Sequence, residues 1–149
     1  MGRLTERRRA IPGLLVAGAS LAAAAARAET NPFATHKLVL QLSDGSAEKA
    51  SLVISVANSV LDDYPNRVAI VVVAFGPGVP LLYAGSPERV AVESLVVQGV
   101  EFDICMNTIK TIVRETGHLP DLNQHAVPVP FGVPRIMELV GKGYVLVRP

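Results

Sequence analysis

The sequence predicts an α/β domain: a mostly parallel five-stranded sheet with helices on both faces. Three observations carry that prediction. Along residues 37–149, five short strand-like runs alternate with four segments that have helical spacing or helix-start signals, the pattern of successive βαβ units. Residues 67–75 (RVAIVVVAF) form an almost unbroken β-branched run, which marks a central strand covered on both sides. Clusters of Gly, Pro, Ser and Asp separate the runs. No internal repeat, heptad or low-complexity tract interrupts this order.

The amino terminus reads as an export signal over residues 1–28. Arg3, Arg7, Arg8 and Arg9 form a basic head, an uncharged run covers residues 10–26, and Ala26-Arg27-Ala28 is a small-x-small cleavage signature. The run is too short and alanine-rich for a good membrane span, so no stable anchor is expected after cleavage. The arginine pairs and the weakly apolar core lean toward twin-arginine export to the periplasm; the full motif is incomplete, which leaves Sec export or an uncleaved anchor as alternatives. Residues 29–36 read as a linker and 37–149 as the folded domain.

Cleavage would leave 121 of the 149 residues, enough for one small domain. The signal holds five of the 14 basic residues and one of the 13 acidic ones, so the remainder has 9 against 12, a formal net charge of −3. With no basic patch, nucleic acid is not expected as a partner. His36, His118 and His125 are scattered without ligand spacing, so neither a metal nor another cofactor is expected.

Residues 37–42 (KLVLQL) make the first strand, and the turn at Ser43-Asp44-Gly45-Ser46 offers a cap for a helix over 47–62. The apolar residues of that helix, Leu52, Val53, Ile54, Val56, Ala57, Val60 and Leu61, cover more of its circumference than sheet packing requires. The surplus points to another subunit, with Asn58 at the rim or simply solvated. After the second strand comes Gly76-Pro77-Gly78-Val79-Pro80, a rigid turn whose Gly76 and Gly78 could bring backbone N–H groups to an anion. No nucleotide-binding fingerprint accompanies it. Ser86-Pro87-Glu88 has the signals of a helix start, and that helix runs to about Gln98.

The third strand ends in the chain's one cysteine. Val100, Phe102 and Ile104 alternate with Glu101, Asp103 and Cys105, and a helix over 108–116 follows, with Asn107 or Thr108 as its cap. Cys105 therefore lies where a strand gives way to a helix, at the carboxyl edge of the sheet where ligands collect. A helix start favours thiolate; Asp103 on the same face opposes it. A small buried hydrophobe is the competing reading of the same residue. A short strand at 127–129, a helix after Phe131-Gly132-Val133-Pro134 and a last strand at 144–148 complete the order.

Three segments together resemble the DsrE/DsrF-like family of sulfur-oxidation and sulfur-relay proteins. They are residues 72–78 (VVAFGPG), residues 99–108 (GVEFDICMNT) and the tail from Gly132 to Pro149. The family's small-Cys-Gly-Asn-Thr pattern is met at Cys105, Asn107 and Thr108. Ile104 and Met106 depart from it, and Phe131 stands where a small residue is usual, so bulk is expected near the thiol. The resemblance implies a three-layer α/β/α domain assembled as a homotrimer or homohexamer. It also implies a persulfide on Cys105, with a sulfur donor or acceptor protein as partner. Asn107, Thr108, Gly76 and Gly78 are the residues expected to bind beside it. A non-catalytic oligomeric binding or scaffold protein, its pocket between subunits and Cys105 merely packed, is the alternative. No hydrolase spacing or nucleophile elbow is present.

Overall fold

The computed structural model describes residues 31–149. The export-signal reading of residues 1–28 lies outside the described residues. Five strands and four α-helices alternate: β1 (His36–Leu42), α1 (Ala47–Asp63), β2 (Val68–Ala74), α2 (Arg89–Val97), β3 (Glu101–Cys105), α3 (Met106–Thr116), β4 (Ala126–Val129), α4 (Gly132–Gly141) and β5 (Val145–Val147). A 3-10 segment, Gly76–Leu82, separates β2 from α2. The sheet is entirely parallel, in the order β4-β3-β2-β1-β5.

That order decides which face each helix covers. From β1 to β4 every step moves one strand in the same direction, so right-handed crossovers place α1, α2 and α3 on one face. The step from β4 back across the sheet to β5 runs the other way and puts α4 on the opposite face. The two cores follow from this. Leu40, Ile70, Val72, Phe102 and Ile104 point into the three-helix side, against Val53, Leu95 and Ile109. Val39, Val71 and Val73 point the other way, against Ile136, Leu139 and Tyr144. All seven residues of β2 are buried, as its β-branched run requires.

Several boundaries differ from the sequence reading for definable reasons. His36 belongs to β1, and the N–H groups of Thr35 and His36 both bond to the Arg67 carbonyl, so the end of the expected linker is tied to the domain. Asn31 also bonds there, through its amide to the Asn66 carbonyl at 2.7 Å. Ser86 does not cap α2 directly. Its hydroxyl accepts from the Glu88 N–H, closing a turn before the helix begins at Arg89. The cap of α3 is corrected as well: β3 passes into α3 without a loop, Cys105 itself holds the cap position, and Asn107 and Thr108 fall inside the first turn.

The apolar surplus of α1 does not face outward as expected. Val56, Val60 and Leu61 pack at the margin of the main core, leaving Leu52 exposed. Asn58 is exposed and bonds back to the Ile54 carbonyl. The exposed apolar stripe lies on α4, where Val133, Met137 and Val140 recur at helical spacing beside Phe131.

Candidate functional site

Among the described residues, Cys105 stands at the one place on the carboxyl edge where neighbouring connections part. The chain leaving β3 turns to the three-helix face, and the chain leaving β4 turns to the α4 face. Such a divergence opens the crevice in which open α/β sheets bind ligands. Two helix starts meet there, because α3 begins at Met106 and α4 at Gly132. Gly132 is needed for the approach: a Cβ on it would lie 2.8 Å from the Phe75 Cβ. The Asn107 N–H donates to the Pro130 carbonyl at 3.2 Å, which ties the two helix starts together.

The thiol is 5% exposed. Burial, the largest influence, pushes its pKa up. The Thr108 hydroxyl and N–H, the Gly132 N–H and the Asn107 N–H outweigh that and hold it below the usual thiol value. No cap hydrogen bond closes on the cysteine side chain, so these donors favour the anion without locking it. Thr108 is oriented in turn by Gly76, whose N–H donates to Thr108 Oγ1 at 2.9 Å and leaves the hydroxyl proton for the sulfur.

Among the residues singled out in the sequence, Cys105, Thr108 and Gly76 are joined in this chain of contacts, and the Asn107 backbone adds to it. The side chain of Asn107 is exposed. The anion-cradle reading of the glycines does not fit the geometry. The Gly76 N–H serves Thr108, and the Gly78 N–H donates to the Phe75 carbonyl. Gly78 is a packing residue, since a Cβ there would run into the backbone of Leu42. Of the three bulky residues expected near the thiol, Ile104 lies in the main core, Met106 packs against it and Phe131 is 54% exposed.

Arg135 is the residue that sequence reasoning missed. From the first turns of α4 its Nε–H donates to Asp103 Oδ2 at 2.7 Å, and its Nη2 group donates to Glu101 Oε1 at 3.1 Å. Its Nη1 lies 3.2 Å from Glu138 Oε2. Asp103, Glu101 and Arg135 are all buried. A signal for this was present: two acids on one face of a strand that ought to be covered demand a buried cation. Burial, then the neighbouring Glu101 carboxyl, push Asp103 up to about 7, although Arg135 pulls the other way.

Among the described residues, no three His, Cys, Asp or Glu side chains are grouped to hold a metal ion, and no helix is long and apolar enough to cross a membrane. A 730 Å³ cavity lined by Asp62, Asn66, Gln98 and His125 lies at the amino end of the sheet and does not include Cys105.

No family model matches the sequence, and no curated protein matches it. Among solved structures, the chain is similar to MTH1491 from Methanobacterium thermoautotrophicum, described as a protein of unknown function. The two share 28% identity with a TM-score of 0.69, over 76% of this chain and 99% of that one. The likeness agrees with the parallel α/β architecture.

Proposed function

We propose that Cys105 is a sulfur-accepting thiolate and that the protein carries sulfane sulfur between partner thiols. The observation that carries this reading is the seat of Cys105 where the starts of α3 and α4 meet, surroundings that hold its pKa below the usual thiol value. The thiolate would attack the outer sulfur of a donor persulfide. A sulfur–sulfur bond forms to Cys105, the donor's own sulfur–sulfur bond breaks, and the donor leaves as a thiolate. No net oxidation occurs, and attack by an acceptor thiolate on the outer sulfur of Cys105 discharges the cargo in the same way. The DsrE/DsrF-like resemblance of residues 72–78 and 99–108 supports this chemistry, as the amino-terminal pattern supports export to the periplasm.

Mass spectrometry after exposure to inorganic polysulfide tests the proposal. The expected result is a gain of one sulfur atom that Cys105→Ser abolishes. Alkylation of the folded protein should also outpace that of free cysteine at neutral pH. No sulfur uptake, with alkylation only on unfolding, would overturn the reading and leave Cys105 as packing.

The second reading, an oligomeric binding or scaffold protein, is favoured by the exposed stripe of Val133, Met137 and Val140 beside Phe131. A homotrimer or homohexamer could bury that stripe whether or not the thiol carries sulfur. Light scattering separates assembly from chemistry; a monomer at micromolar concentration would remove the second reading.

A further inference from the structure

The buried charges beside Cys105 are out of balance. Glu101 and Asp103 share one guanidinium, and that guanidinium also meets Glu138, which Lys142 approaches at 2.6 Å from the far side. The flanking strands add no charge to this face: Val71 and Val73 of β2, and Val127 and Val129 of β4, stand in register with Glu101, Asp103 and Cys105. Asp103 is fully buried, and its Oδ1 has no hydrogen-bond donor among the described residues. Two bare carboxylates side by side, one of them with an orphaned oxygen, are costly in such surroundings. A single proton held between them turns their repulsion into a hydrogen bond.

The same groups form a ladder between β3 and α4. At the upper rung Cys105 pairs with Val129 and the Asn107 N–H bonds to the Pro130 carbonyl, which seats the start of α4 beside the sulfur; at the next, Arg135 holds Asp103; below it, Arg135 reaches Glu101. Gly132 and Arg135 are three residues apart on one helix face, and Cys105 and Asp103 are two apart on one strand face. The seat of Arg135 therefore decides how the start of α4 meets the sulfur.

We propose that Arg135, Asp103 and Glu101 are a positioning clamp with a proton store: Arg135 ties the first turns of α4 to β3 so that the start of α4 stays beside the sulfur, and the carboxyl pair holds one proton that relieves the thiolate of a bare neighbouring charge. The inference deepens the sulfur-carrier reading and rests on it only for the use to which the thiolate is put. As pH rises the store empties, Asp103 turns negative about 6.7 Å along the strand from Cys105, and further thiolate formation is opposed. Its titration near 7 places that change below the ordinary thiol range.

The test is thiolate ultraviolet absorbance against pH, with circular dichroism as the check on folding. The native chain should give a broadened, two-step curve. Asp103→Asn keeps an oxygen for Arg135 and cannot ionise, so it should give a single step displaced downward by about one pH unit. Glu101→Gln, which leaves Asp103 alone with the arginine, should also collapse the curve to one step and serves if Asp103→Asn fails to fold. Arg135→Lys should restore part of the displacement caused by Arg135→Met, which moves the midpoint up. Folded Asp103→Asn and Glu101→Gln proteins with the native midpoint and shape would overturn the proposal. Polysulfide uptake is measured separately: its failure with the titration as expected removes the carrier reading alone, and the reverse removes only the clamp.

Discussion

The two faces of β3 are built from opposite materials. Phe102 and Ile104 enter an apolar core closed by three helices, whereas Glu101 and Asp103 meet one helix through an arginine and Cys105 lies where two helices begin. A five-residue strand thus serves two ends. One face contributes stability through apolar area; the other gives up apolar contacts to hold charged groups in fixed positions. The alternating pattern of this strand is therefore not the usual division between core and solvent, since both faces are buried.

The largest effect comes from breaking each face in turn. Phe102→Ala should cost about 3–5 kcal/mol by cavity formation and leave the thiol titration of the folded protein in place. Arg135→Ala should cost a similar amount, roughly 3–5 kcal/mol, because it strands two buried carboxylates. It should also shift the thiol. Urea unfolding combined with thiol titration distinguishes them, and equal titration shifts in both variants would erase the contrast.

The charged face should also make stability depend on pH in an uncommon direction. Asp103 has a folded value near 7 against an ordinary 3.8, so the unfolded chain releases this proton first. Its contribution is fully present below 3.8 and is lost as pH rises through about 7. Between about pH 5 and 7 the native chain should lose stability while Asp103→Asn stays level, in thermal melts at matched ionic strength. Burial strengthens the effect; the downward shift of Cys105 acts in the opposite sense, nearer its own titration. A native profile as level as that of the variant would show that Asp103 is ionised throughout.

A smaller effect sharpens the account of the thiol. Thr108→Val removes the hydroxyl aimed at Cys105 and leaves the Gly76 N–H without its acceptor. The thiol pKa should rise by about one unit, the scale of one hydrogen bond to a charged group. Thr108→Ser should restore it, and iodoacetamide rates against pH would report both. No change in Thr108→Val would assign the depressed value to the backbone donors alone.

The smallest effect on stability belongs to the outer stripe of α4. Val133→Asp with Met137→Asp alters exposed positions and should change unfolding free energy by less than about 0.5 kcal/mol each. Any oligomer seated on this stripe should dissociate in light scattering. An oligomer that persists must use another surface.

The succession of strands and helices, the central place of β2 and the position of Cys105 at a strand-to-helix junction are legible in the order of residues alone. Each is a local matter of side-chain period and turn chemistry. The same order carries the identity of the residues on each face of β3, because alternation along a strand is fixed by the pleat. Tertiary structure decided what those faces meet. That α4 alone crosses to the second face follows from strand order and crossover handedness, which no single segment contains. That Arg135 answers Asp103 across 32 positions, and that Gly76 serves Thr108 rather than a ligand, depends on bringing distant backbone into contact. The apolar surplus of α1 misled for the same reason. Periodicity counts apolar residues on a helix, but only packing shows which of them another helix or the core margin already covers.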